Sequence, residues 1–500
     1  MTESLRRPGW AHTTLPILVG LLLAQMLATF FVWQSNLSLF SQTQALTAAG
    51  WLPLPAGAAA AFLKAPRAAL GGGLFYTLSS GAGLVLAAWS AVQLRRRIFH
   101  DARGTLPALI FLWGILLLAV NTRGWVWFST LMVVLPAGVT AGLTQWGLKR
   151  RADDVDGFIW LIPVAVMVVL SALWFTRLDQ RLFTAIRDHI LLSNTVGQRV
   201  NDFYYRYTLH AAEIFKSLEQ KTIRTCRLSE DLDAATAARL RRTLASGDVL
   251  VLPPGAPADF TFSGDGSGRF EVSSGRMRLS IDSEAEAQPA RWLPRLSAMT
   301  DHFAFFRRIT FFGLLVGFPI LLYMGVYGGL RWIAAIMLRP AAATVAASLL
   351  CLAAGILFYW PMLASRTVEF SAQELNNVLA DPDWSRRVAG LRWIESHQLE
   401  ITDYPAYRSL LASPRTVERY WLARAMAFSR SNQSRRELLA LMQDSQPIVV
   451  CQALYALGRQ GDPRVIEPVR RRFLRSDHWY TQWYGYRALR ELGWRQTPSR

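Results

Sequence analysis

Charged residues make up only 18% of the 500 positions, below the roughly 25% of soluble globular domains. Lysine is scarcer still: Lys64, Lys149, Lys216 and Lys221 are the only four among 54 basic residues. Three cysteines cannot staple 500 residues, so a disulfide scaffold is excluded. There is no H-E-x-x-H, C-x-x-C, C-x-x-C-H, Walker loop or G-x-S-x-G, so the sequence offers no established catalytic or cofactor motif.

What the sequence has in quantity is apolar surface. Hydrophobic residues are 52% and there are 19 tryptophans, a residue that favours membrane interfaces. Seven apolar runs approach the roughly 20 residues that span a bilayer as a helix. They cover residues 14–33, 70–94, 106–120, 125–146, 158–175, a sixth beginning at Ile309, and 341–360. Gly328-Gly329 interrupts the sixth, so residues 330–338 are either its continuation or a short interfacial helix. The first run exceeds the 7–15 residues of a signal-peptide core and no small-x-small site follows it, so it reads as an uncleaved anchor. Gly71-Gly72-Gly73 and the Gly81/Gly83 pair suit close helix packing.

Short loops on one side hold 11 Lys and Arg, against three (Lys64, Arg67, Arg123) on the other. This bias puts the N-terminus in the cytoplasm and, after seven spans, the C-terminus outside a bacterial cytoplasmic membrane. Arg177, Arg181, Arg307 and Arg308 lie on the outer side, but in a long segment where the rule is weak. No run carries an acid in its middle, which argues against an ion-coupled transporter.

Residues 176–308 interrupt the apolar runs. Leu178, Leu182, Ile186 and Ile190 recur at helical spacing, residues 193–197 form a turn with a capping Gly197, and a second helix is expected from Gln198 to Thr225. A short helix over 231–244 follows. After Gly247 the period changes to two, through Val249/Val251, Phe260/Phe262, Phe270/Val272 and Met277/Leu279/Ile281. This predicts a small antiparallel sheet of three or four strands, with a hairpin at Ser273-Ser274-Gly275. The segment also holds the catalytic candidates Asp188, His189, His210 and Glu213, together with Asp301-His302. His210 and Glu213, three apart on a helix, have the spacing of a metal pair or of a base with its orienter. A structural hydrogen bond explains the same residues, and the sequence assigns no metal or cofactor.

Beyond residue 366 the chain turns polar and helical. Ala389, Ala423, Ala453 and Ala488 recur in similar surroundings, 34, 30 and 35 residues apart. Between Ala453 and Pro468 stand Ala453-Leu454, Leu457-Gly458, Gly461-Asp462-Pro463 and Val465-Ile466-Glu467-Pro468. This pattern resembles the HEAT-repeat superfamily in its short version; Asp403-Tyr404-Pro405-Ala406 departs from it in an outer copy. The resemblance implies stacked helix pairs, a surface for protein partners and no chemistry of its own. Arg470, Arg471, Arg472 and Arg475 with Trp479, Tyr480 and Trp483 are the partner-binding candidates, although aromatic side chains also cap a solenoid's exposed end. This segment has 21 arginines against 14 acids. Outside a membrane, that charge suits headgroups or an acidic partner rather than nucleic acid.

The expected fold is a mainly α membrane protein: a seven-helix transmembrane bundle, an inserted α+β extracytoplasmic domain and a C-terminal α-solenoid. The segments are 1–175, 176–308, 309–365 and 366–500. The expected function is a scaffold or assembly protein, in contact with membrane lipids, that docks a protein partner. The alternatives are a membrane-interface enzyme or lipid-handling protein around His189, His210 and Glu213, and a transporter or channel subunit. Cys226 and Cys451 would both lie outside, where oxidation is permitted.

Overall fold

The computed structural model describes residues 11–149, 159, 161–176, 178–264, 269–282, 288–364 and 369–497. Among the described residues, five helices are long and apolar enough to cross a membrane: Thr14–Ala48, Pro66–Arg97, Trp127–Leu148, Ala304–Met337 and Pro340–Trp360. The other two expected spans form the shorter helices Thr105–Asn121 and Leu161–Thr176, of 17 and 16 residues. At 1.5 Å per residue these reach only about 25 Å, less than the hydrocarbon thickness of about 30 Å.

The first helix runs well past its apolar stretch, from Ala11 to Ala48. Ala24, Ala28 and Val32 form a fully buried stripe at four-residue spacing, and Asn36, Thr43 and Leu46 keep its polar extension buried. Helix continuity here follows from packing rather than from hydropathy. The sixth helix likewise continues through Gly328-Gly329 to Met337 and begins at Ala304, five residues before its expected start.

The glycine triplet is a packing device. A β-carbon on Gly72 would lie 2.8 Å from the Ala211 methyl, and one on Gly73 would lie 2.6 Å from Thr29 Oγ1. The triplet therefore lets the 66–76 helix approach both the first helix and the 195–213 helix. Lower down, a β-carbon on Gly83 would meet Gly313 Cα at 3.1 Å, beside two facing π-helical turns, 77–81 and 313–317. At the other end, Phe31, Phe128 and Phe306 join three helices to Phe215 in the turn after the 195–213 helix, with Phe31 and Phe128 stacked at 4.0 Å.

The inserted segment departs from the expected pattern. Its second helix is Thr195–Glu213 and ends early; Arg224–Leu228 is instead a strand, β1. The others are β2 (Val249–Val251), β3 (Phe260–Gly264), β4 (Phe270–Ser274) and β5 (Met277–Ile281). The sheet is mixed, not antiparallel: β1 sits between β2 and β3, parallel to both, while β3, β4 and β5 are antiparallel. Helix Ala234–Ser246 makes the crossover from β1 to β2. The alternation of Arg224–Leu228 is obscured because Cys226 and Thr225 are both buried. The β4–β5 hairpin turns where expected, with Gly275 at φ 60°. Gly197 is not a cap; it lies inside the 195–213 helix and packs against the Ile190 backbone, while the Asn194 side chain accepts its N–H at 2.8 Å.

The C-terminal segment is a stack of helix pairs. Its first layer is Trp384–Ser396, Thr416–Ala425, Pro447–Gln460 and Trp479–Glu491. Its second layer is the 3-10 run Pro405–Leu410 and the helices Asn432–Leu441 and Ile466–Arg475. Ala423, Ala453 and Ala488 are buried at the layer contacts, and in the earliest copy Gly390 takes the tight position beside Val378. Gly461 at φ 71° closes one helix, and Asp462 caps the next turn through Arg464 N–H at 3.0 Å. Cys226, Cys351 and Cys451 are buried free thiols, so Cys226 and Cys451 are not paired.

Candidate functional site

The surface that matters most is the junction between the helical stack and the rest of the chain. Arg187–Leu191 is a π-helical turn carrying Asp188 and His189. Asp188 is buried; its carboxylate accepts Trp421 Nε1–H at 2.9 Å and Arg187 Nε–H at 2.9 Å. Arg187 in turn donates to the Tyr420 hydroxyl at 2.7 Å and lies over the Tyr420 ring, 4.3 Å from its centroid. His189 packs against Trp384, ring to ring at 5.1 Å. Burial pushes the His189 imidazole below its ordinary value, against the pull of Asp188. These contacts hold a helix onto the stack.

The other candidates divide similarly. Glu213 pairs with Lys216 at 2.6 Å. His210 belongs to the 195–213 helix, but its side chain lies outside the described residues, and so the His210–Glu213 pairing does too. Asp301 pairs with Arg307, and His302 Nδ1 contacts the Arg123 carbonyl. Among the described residues no three His, Cys, Asp or Glu side chains gather where they could hold a metal.

The aromatic partner candidates face the chain's own segments. Trp479 is buried beside Ala59 and Leu63, and Tyr480 packs against Tyr205 with the rings tilted and their centroids 4.3 Å apart. Trp483 donates to Thr222 Oγ1 at 2.9 Å. Residues that sequence reasoning missed do as much. Gln482 accepts Ala56 N–H at 2.9 Å and donates to Ala56 O at 3.1 Å; Gln496 makes the same two-way clasp on Leu52. The Tyr486 hydroxyl donates to Asp248 at 2.6 Å, and Arg490 adds an ion pair to the same carboxylate at 3.1 Å. Their only sequence signal is polarity at positions where a terminal repeat should be apolar or solvated.

The arginines are disposed differently. Arg470 and Arg471 are exposed on the second layer and reach only Glu467, at 3.3 and 4.0 Å. Arg472 is partly buried and donates to Met442 O at 3.0 Å. With Arg475, Met442, Gln443 and Pro468, Arg471 and Arg472 line a groove of about 220 Å³ between successive repeats. The exposed Arg408 and Arg436 continue the basic face along the stack. Burial pushes the Cys226 and Cys451 thiols well above their ordinary value, which disfavours the reactive thiolate.

The helix pairs, the Gly-Asp-Pro turn and the buried alanine contacts decide one point of identity. Residues 405–490 match the family model for HEAT repeats. The C-terminal part of the chain carries HEAT repeats. No curated protein and no solved structure matches the chain. HEAT repeats are a protein-interaction architecture, built from stacked helices whose outer surfaces remain available.

Proposed function

We propose that this protein is an integral membrane scaffold whose HEAT repeats, held outside the cytoplasm, dock an acidic protein partner on their second helix layer. The division of the repeat surface carries the reading. The first layer is occupied by the chain's own Arg187–Leu191 turn, Tyr205, Thr222 and Ala56, whereas the second layer presents Arg408, Arg436, Arg470, Arg471 and Arg475 with little acidic compensation. Tying the stack down at these four places gives a partner a rigid platform, which lowers the ordering cost of binding.

A seven-span topology fits this arrangement. Residues 49–65, 121–126, 178–303 and 369–497 touch one another, through pairs such as Gln482–Ala56, Arg123–Ala298 and Trp421–Asp188. Each is separated from the next by two apolar helices, so each pair returns the chain to the same side. The shorter helices Thr105–Asn121 and Leu161–Thr176 then cross as well, with local thinning or flanking polar residues making up their length.

Affinity purification of the full chain from mild detergent tests the docking reading. A stoichiometric partner should co-purify with the parent protein and be lost from Arg470→Glu/Arg471→Glu/Arg475→Glu at unchanged expression. A partner retained by the triple variant would remove the second layer as the docking face.

A further inference from the structure

An open recess lies where the sixth apolar helix begins, at the end facing the sheet and the repeats. Ala304, Arg307, Arg308, Phe311 and Phe312 share one face of that helix at i, i+3, i+4, i+7 and i+8, and they line a space of about 680 Å³. Arg123 and Asp301 complete its rim. This volume is within the range of small-molecule sites.

The charges in it do not cancel. Arg307 is already satisfied: it makes a two-pronged pair with Asp301 at 2.7 and 2.5 Å and donates to Phe215 O at 2.6 Å. Asp301 is therefore spent. Arg123 has a single side-chain hydrogen bond, to Ala298 O at 3.3 Å, and its backbone is fixed by His302. Arg308 is exposed and makes no hydrogen bond or ion pair with any described residue. Two cationic forks thus face one space whose single carboxylate is engaged by Arg307. One turn further along the helix, Phe311 and Phe312 are 60% and 64% exposed. The wall is cationic at the water end and aromatic at the membrane end. That is the polarity of an amphiphile with a phosphate head, and paired arginines suit phosphate oxygens better than any carboxylate-free apolar ligand.

We infer that this cavity binds the phosphate group of a membrane lipid, with Arg123 and Arg308 clasping the phosphate and Phe311 and Phe312 lying along the first carbons of an acyl chain. The inference rests on the membrane reading and is independent of the docked partner. A carbonate wash of membranes checks the membrane reading first, since a chain released by it is not integral.

Native mass spectrometry of the full chain in mild detergent then reads the site directly, with phosphatidylglycerol, phosphatidylcholine and inorganic phosphate as separate probes. Phosphatidylglycerol should be retained, and Arg123→Gln or Arg308→Gln should weaken retention about ten- to a hundredfold, as expected for one charge-assisted contact. Arg308→Lys should recover part of it. Arg276→Gln, which removes an exposed charge in the β4–β5 turn, should change nothing. Retention of inorganic phosphate that depends on Arg308, without retention of either lipid, would overturn the lipid and assign the cavity to a soluble phosphate. Equal lipid retention by the parent, Arg123→Gln and Arg308→Gln would overturn the site altogether. Because Arg308 is exposed, its variants should melt as the parent does, and an unchanged melting temperature guards the comparison.

Discussion

The carboxylate of Asp188 accepts the indole N–H of Trp421 across 233 positions of sequence, in a site closed to water. The same carboxylate is the counter-ion of Arg187, which is held against Tyr420 and Trp421. Asp188→Ala leaves Arg187 without its counter-charge and the Trp421 donor unmatched. Breaking such a buried pair costs about 3–5 kcal/mol. Thermal unfolding in detergent should show that loss, and limited proteolysis should show the repeats released from the 180–213 segment. Asp188→Asn, which keeps an acceptor for Trp421, should lose less. Equal melting of both variants and the parent would mean the junction is held elsewhere.

Gln482 and Gln496 imitate strand pairing, each meeting both the N–H and the C=O of one residue in the 49–57 connection. Gln482→Leu keeps the volume but strands two backbone groups at Ala56, for a loss of about 2–6 kcal/mol at about 1–3 per unmet buried group. Gln496→Leu, at the less buried Leu52, should lose less. Hydrogen exchange at residues 51–57 should rise in both variants while the sheet stays protected.

Much of this architecture is legible from periodicity, because burial on one face imposes a repeat. The apolar runs, the period-two segments after Gly247 and the alanine recurrence at 423, 453 and 488 all reappear as elements. Failures occurred where tertiary contact overrode the local signal. Strand β1 was hidden because Thr225 and Cys226 are both buried, and the first helix outran its apolar run because Asn36 and Thr43 are covered by neighbours. Gly328-Gly329 did not end its helix, since neither residue meets a demand for positive φ. The junction was invisible for a different reason. Asp188 and His189 read as catalytic and Trp479 as a docking anchor because sequence names residue types, whereas only three-dimensional contact shows what they face.

Gly72 tests the packing of the 66–76 helix against the first helix and the 195–213 helix. A methyl there would stand 2.8 Å from Ala211 and 3.1 Å from Val32. Both neighbours are short and fixed to helix backbone, so neither can swing away. Gly72→Ala should cost about 1–3 kcal/mol through overpacking, and Gly72→Leu should separate the 66–76 helix from the 195–213 helix. Melting temperature in detergent orders the series as parent, Ala, Leu. A stable Gly72→Leu would place the close contact in another register.

His478 gives the repeats a pH dependence. It is buried at the start of the 479–491 helix, and burial, aided by Arg206, pushes its imidazole down to about 4 despite Asp477. A histidine depressed below its unfolded value near 6.5 contributes stability that is complete above that value. The contribution is lost as pH falls from 6.5 toward 4, because the unfolded chain takes up the proton first. At pH 5.5 the loss is about 1 kcal/mol, given about 1.4 per pH unit. His478→Asn should narrow the difference in melting temperature between pH 7.5 and pH 5.5. An unchanged difference would show that acid sensitivity arises from other groups.

The topology is open to a direct chemical test, because the three native cysteines are buried and give little background. Arg276, His100 and Thr122 are exposed positions in the β4–β5 turn, the 98–104 loop and the 122–126 turn. Cysteines introduced at each, one at a time, can be treated in intact spheroplasts with a membrane-impermeant maleimide. With seven spans, Arg276→Cys and Thr122→Cys should label and His100→Cys should label only after lysis. The Thr122 position decides the status of the 17-residue Thr105–Asn121 helix, which alone separates it from the 98–104 loop. If that helix does not cross, Thr122→Cys stays protected together with His100→Cys. The hydrogen bond from Arg123 to Ala298 argues otherwise, because Ala298 lies in the folded segment that also carries Arg276. A protected Thr122 with a labelled Arg276 would put the contacting Arg123 and Ala298 on opposite sides of a bilayer, which no single fold can satisfy.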